Sequence, residues 1–131
     1  MSIPALNTAI YARLAGTYTT AGTKVYYLQA PDNAALPYIV FDYVASRDEN
    51  MTQNRTKDCS MFIRAYGTTP AQAGTIDGQI DGRLHNVTLT VSGYTNFWTM
   101  RENAYSLSEV DASGRKTYMA GADYRIRLDV T

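Results

Sequence analysis

The chain has 131 residues, about the length of one globular domain and enough to bury a core without disulfides or metal. Twelve Lys+Arg balance twelve Asp+Glu, and charged residues make up only 18%. Zero net charge argues against a dedicated nucleic-acid or polybasic membrane module, whose affinity rests on excess positive charge. Tyrosine supplies eleven aromatics, beside three Phe and one Trp. A neutral, Tyr-rich chain has little charge to hold it apart from copies of itself.

Cys59 is the only cysteine, so no disulfide can form within the chain and no Cys-based zinc site is expected. The opening MSIPALNTAIYARLAG has no basic residue before its apolar part and makes a poor secretion signal. No apolar run is long enough for a membrane helix.

In chain order, Ile3, Leu6, Ile10 and Leu14 recur at helical spacing. With Ser2 as cap, Pro4 in the first turn and Gly16 as stop, they predict a helix over 4–15. KVYYLQ (24–29) reads as a strand and PDNAALP as a loop. YIVFDYVAS (38–46) is the strongest strand, apolar on both faces except at Asp42, which predicts a central position.

RDENMTQNRTK (47–57) has one hydrophobic residue among eleven. It reads as an exposed hairpin arm or loop, too polar to bury and too long for a minimal turn. Its charges Arg47, Asp48, Glu49, Arg55 and Lys57 are candidates for an assembly contact, because segments that join partners can order on binding. DCSMFIRAY (58–66) follows as the returning strand.

Thr69, Pro70 and Gln72 form a capping box with the preferred proline, and Ala73, Ile76, Ile80 and Leu84 give a helix over 70–85. Gly74, Gly78 and Gly82 lie at i, i+4, i+8 on it. Each costs about 1 kcal/mol relative to Ala. The stripe therefore predicts a backbone approach too close for a Cβ, to the sheet or to a neighbouring subunit.

Val87, Leu89 and Val91 alternate with Thr88 and Thr90 in a short strand. Tyr94–Val110 reads as one long or bulged strand, 111–114 as a turn, and 117–130 as the last strand, with Tyr124, Ile126, Leu128 and Val130 inward. Ala120-Gly121-Ala122 predicts a bulge or kink in it. The order α-β-β-β-α-β-β-β is that of an α+β domain, a mostly antiparallel sheet with two helices on one face.

Chemistry-bearing constellations are thin. Cys59 and His85 could pair only with each other, and a histidine at a helix end is explained by the last carbonyls. Asp77 and Asp81 share a helix face without a third ligand at suitable spacing. No phosphate-cradling glycine motif occurs. No catalytic, cofactor or metal site is expected. Arg115 and Lys116, with outward Arg125 and Arg127, form the only basic cluster and are candidates for subunit or lumen contacts.

IPALNTAIYARLAG, KVYYLQAP and LPYIV, followed by DCSMFIRAYG, TPAQAGTIDGQIDGRLHN and the closing YRIRLDV, resemble the tail-completion (tail terminator) proteins of tailed bacteriophages. The resemblance runs over the whole chain and rests on order and spacing. It implies one domain over 1–131, a subunit of a ring, commonly hexameric. Such a ring caps the head-proximal end of the tail tube, stops its polymerisation and faces the head connector. DNA passes through the lumen without its sequence being read. The subunit would be assembled in the host cytoplasm into the virion, with no membrane partner, enzyme activity or cofactor. The alternatives are another neck component, such as a head-completion or adaptor protein, and a small cytoplasmic enzyme or ligand-binding α+β domain.

Overall fold

A computed structural model gives the fold of residues 3–31, 34–49, 56–110 and 114–130, with main chain only at 45–49. Helix α1 spans Pro4–Leu14 and buries Leu6, Ile10 and Leu14 completely. Its N-cap position is Ile3, without a side-chain cap; Ser2, the expected cap, lies outside the described residues. Beyond Leu14 the chain leaves the helix at Ala15, and Gly16 adopts φ +111°, which glycine takes without strain.

Helix α2 spans Pro70–Leu84. The Thr69 hydroxyl accepts from the Gln72 amide at 3.1 Å. The Gln72 side chain reaches one residue further back than a simple capping box, accepting from the Thr68 amide at 2.9 Å. Its apolar positions Ala73, Ile76, Ile80 and Leu84 are buried.

The strands are β1 (Val25–Tyr27), β2 (Tyr38–Glu49), β3 (Thr56–Gly67), β4 (Thr90–Val91), β5 (Tyr94–Val110) and β6 (Lys116–Val130). They form a six-stranded sheet in the order β1-β2-β3-β6-β5-β4. Only β1–β2 is parallel. The fold is therefore α+β with the predicted element order.

Helix α2 lies on β3, β6 and β5, while α1 touches both β1 and β4, which stand at opposite edges of the sheet. The sheet therefore curls around the helix pair, as the intrinsic twist of strands favours. Ile39, Phe41, Cys59, Met61, Ile63, Tyr124, Ile126 and Leu128 face the helices and fill the core between the layers. Val40, Tyr66 and Met119 form a second cluster, joined by Ala30, Leu36, Tyr38 and Phe62.

Several boundaries differ from expectation for identifiable reasons. The first strand stops at Tyr27 because Leu28 takes φ +72°, and its amide donates to the Phe41 carbonyl at 3.0 Å. Where it is described, the arm is a hairpin and not a loop: 47–49 continue β2 and 56–57 begin β3. Polar residues are poor strand formers alone, but Thr56 and Lys57 have ladders on both sides, to β2 and to β6. Lys57 is only 7% exposed, so this end of the supposed exposed arm is buried. Long lysine stems bury readily along apolar surface.

The expected bulge at Ala120-Gly121-Ala122 is absent. These residues pair with Ala65, Arg64 and Ile63 in unbroken register. The register shifts lie across the ladder in β5, between Asn96 and Trp98 and between Arg101 and Ala104. Asn96 secures the first. Its carbonyl accepts from the Leu89 amide at 2.8 Å, and its amide donates to the Trp98 and Arg127 carbonyls, each at 3.0 Å.

Candidate assembly surfaces

On the helix side, polar contacts fasten elements together. The Arg101 guanidinium on β5 donates twice to the Asp77 carboxylate on α2, at 3.0 and 2.6 Å, and to the Tyr124 hydroxyl at 3.1 Å. Hydrogen bonding to Asp77 raises the already high pKa of Arg101, while burial pushes the Tyr124 hydroxyl up to about 12. Where the helices end, Arg13 Nε donates to the Arg83 carbonyl at 2.7 Å and Arg83 Nε to the Arg13 carbonyl at 3.0 Å. Each cation thus meets the negative end of the other helix. Tyr43 bridges α1 to β2, its hydroxyl accepting from the Ile3 amide at 3.1 Å and donating to Asn7 at 2.7 Å.

The opposite face of the sheet is charged and aromatic. Asp58 on β3 accepts from Arg125 Nε at 2.9 Å, and that guanidinium lies 5.6 Å from the Trp98 ring centroid. Arg64 pairs with Asp42 at 3.3 Å and lies over Phe62, which meets Tyr105 edge-on. The Tyr105 hydroxyl donates to Asp123 at 2.9 Å. Burial raises the Asp42 pKa against the pull of Arg64. Asp42 Oδ1 and Arg64 Nε are buried without a hydrogen-bond partner among the described residues. Beside them, Leu28, Tyr38, Val40, Arg64, Tyr66 and Glu109 line an open cleft of about 380 Å³.

The third surface is an edge. β4 covers β5 only at Tyr94 and Thr95, so among the described residues the outer side of β5 from Ala104 to Val110 has no paired strand. Every residue from Glu102 to Val110 is exposed, including Tyr105, Leu107 and Val110.

The residues singled out from sequence are distributed over these surfaces rather than gathered in one site. Arg47, Asp48 and Glu49 pair in the ladder with Asp58, Lys57 and Thr56, and Arg55 lies outside the described residues. Arg115 donates to the Ala34 carbonyl at 3.0 Å and Lys116 is exposed at the start of β6. Arg125 and Arg127 stand about 30 Å along the same strand, at roughly 3.3 Å per residue. The four cations therefore form two groups, not one patch.

Gly74, Gly78 and Gly82 are exposed, and a Cβ built on any of them meets nothing within 4 Å. The expected close approach to the sheet is absent, because Ala73, Ile76 and Ile80 turn the other face of α2 inward. The close approach occurs instead at Gly121, where a Cβ would stand 2.7 Å from the Ile63 carbonyl oxygen. Cys59 is buried in the core and His85 accepts from the Arg101 amide at 3.1 Å. Asp77 is occupied by Arg101, and no cluster of three or more metal-ligating side chains occurs among the described residues.

Among the described residues, the open sheet edge and the charged aromatic face are the surfaces suited to contact with other proteins. Residues 8–130 match the family described as tail completion protein gp17. The chain belongs to that family. The fold is also that of a solved chain from the virion of a native gene transfer agent particle, with a TM-score of 0.77 over 96% of each chain at 16% identity. No match is found among the curated proteins. A tail-completion protein is a structural part of the virion tail.

Sequence reading missed the Asp42–Arg64 and Asp77–Arg101 pairs. A signal for the first existed: Asp42 is the one charge within YIVFDYV and Arg64 the one within SMFIRAY, in strands expected to be neighbours. The second pair joins a helix to a bulged strand, and the bulge decides which β5 residues face α2.

Proposed function

We propose that the protein is a non-enzymatic ring subunit that caps the head-proximal end of the phage tail tube. One ring face binds the tube end as another tube ring would, and the other refuses tube subunits and meets the head connector. Polymerisation stops there. The chain acts as one unit over 1–131, and six copies are the expected number. It assembles in the host cytoplasm, takes no cofactor and involves no membrane, and DNA passes through the lumen without its sequence being read.

The observation that carries this reading is the family match over residues 8–130. The open β5 edge and the zero net charge support it, since unpaired edges invite partners and low net charge permits self-association. The predicted arm supports it at 47–49, which stand in an edge-facing strand, and the glycine stripe of α2 offers a neighbouring subunit a side-chain-free surface.

The test is purified protein added to polymerising tube protein. Rings at one end of each tube and arrested growth are expected. Binding to heads that lack a neck, with tube growth unaffected, would assign the protein to the head side as an adaptor. A persistent 14.5 kDa monomer, both alone and with tubes, would overturn the ring.

A further inference from the structure

Each edge of the sheet is guarded over only part of its length, and the guards lie at opposite ends. β1 covers β2 at Ile39, Val40 and Phe41, leaving the outer side of Ala45–Glu49 without a paired strand among the described residues. β4 covers β5 at Tyr94 and Thr95, leaving Ala104–Val110 open. Following the ladders across the sheet, Phe41 is level with Ile63, Ala122 and Ala104, and Glu49 is level with Thr56, Asp129 and Thr95. The two open segments therefore occupy diagonally opposite corners. In a twisted sheet, the two corners on one diagonal bend to one face and the other two to the opposite face. The guarded corners bend onto α1, which touches both β1 and β4, so the open corners flare away from the helices.

We propose that Ala104–Val110 of β5 pairs main chain to main chain with Ala45–Glu49 of β2 in a second copy, and that this contact, repeated head to tail, closes the ring. The inference rests on the ring reading above. Strand polarity agrees with it. β2, β3, β6 and β5 alternate in direction, so a second copy continuing the sheet in the same sense sets its β2 antiparallel to β5. The diagonal also removes the steric objection. Shifting the second copy along the strands by about half their length brings the open corners together, and each guard strand then lies beyond the end of the other chain's open segment.

The β5 edge lacks the proline and lysine that usually protect against such pairing. AYSLSEV contains no proline or lysine and keeps unbroken register from Ala104 to Val110. The β2 segment likewise keeps unbroken register from Ala45 to Glu49, after its bulge at Val44. The contact is heterologous, the kind that generates rings when its rotation closes.

The test uses the full-length chain, alone and with tail tubes. The double variants Arg47→Cys/Ser106→Cys and Arg47→Cys/Leu107→Cys sample both phases of the pleat, while native Cys59 stays buried in the core. On mild oxidation, at least one double variant is expected to give a covalent ladder up to the full ring, and the three single variants none. A dimer from Leu107→Cys alone would mean two-fold pairing of β5 with β5 and would overturn the proposal. Rings without a ladder in either double variant would overturn the pairing and leave the ring reading standing; no rings and no ladder would overturn both.

Proline gives a second measurement. Amides alternate in direction along a strand, so of Ser106→Pro and Leu107→Pro one removes an outward donor and leaves the β5–β6 ladder intact. That variant is expected to stay folded and lose ring formation. A folded outward-proline variant that still forms rings would overturn the pairing.

Discussion

Gly121 has no room for even a methyl group. A Cβ there would stand 2.7 Å from the Ile63 carbonyl oxygen and 2.9 Å from the Arg64 Cα, both of them main-chain atoms that cannot swing aside. Gly121→Ala is therefore expected to lower unfolding stability by about 1–3 kcal/mol, the usual cost of overpacking, read by chemical denaturation. Gly78→Ala should do the reverse. Its Cβ enters open space, so the helix gains roughly 1 kcal/mol from propensity alone. A subunit that nevertheless assembles poorly as Gly78→Ala would show that the stripe meets a neighbour. Spacing on a helix identifies which residues share a face but not what lies opposite that face. The sequence marked three glycines by their period, and its reading of Ala120-Gly121-Ala122 as a bulge or kink mistook the glycine held close to a partner strand.

At the scale of elements, α2 is fastened by Arg101. Its partner Asp77 is 13% exposed and Arg101 itself 20%, so solvent screens the pair only partly. Asp77→Asn should destabilise the fold by about 1.5–3 kcal/mol, the range for hydrogen bonds to charged groups, seen as a lowered denaturation midpoint with unchanged slope. Tyr124 makes the same junction pH-sensitive. Its folded pKa of about 12 stands above the ordinary tyrosine value near 10. The folded state therefore holds the phenolic proton more tightly. That stabilisation is complete below pH 10 and lost as pH rises towards 12. Tyr124→Phe is expected to flatten the decline in stability across this window.

Elements whose signals are local were legible in the sequence. The apolar stripes, the Thr69 cap, and the whole of Tyr94–Val110 as one strand needed only neighbours along the chain. Where pairing partners decide, the reading fell short. The ladder draws Arg47–Glu49 and Thr56–Lys57 into strands against their polarity, and Leu28 ends β1 through a left-handed backbone angle its side chain gives no reason to expect. The surfaces depend on the same non-local facts. That β5 would be long was legible; that of the alternating stretch Val87–Val91 only Thr90 and Val91 pair with it, as β4, was not.

For the whole molecule, folding and assembly should be separable at the central hairpin. Glu49 and Thr56 are register partners, so residues 50–55 can be replaced by Asn-Gly, the preferred two-residue hairpin connection. The shortened chain is expected to keep its thermal midpoint while completing fewer tails in a complementation assay. Full completion would assign 50–55 to an ordinary connection. Neutrality acquires a specific sense here. On the described surface, Asp58–Arg125, Asp42–Arg64 and Asp77–Arg101 set acidic against basic side chains, and the main-chain edges and aromatic surface beside them are left for partners.

The contact between Arg125 and Trp98 has a practical consequence. Trp98 is the only tryptophan, and the cation over its ring is held by a carboxylate two strands away, so one indole senses β5, β6 and β3 together. Its emission is therefore an optical gauge of the sheet, blind to the helices, while far-ultraviolet circular dichroism is weighted towards α1 and α2. Coincident melting of the two signals would mean that helices and sheet unfold as one cooperative unit. A fluorescence change that precedes the loss of ellipticity would reveal a layer of strands loosening first, with no label attached.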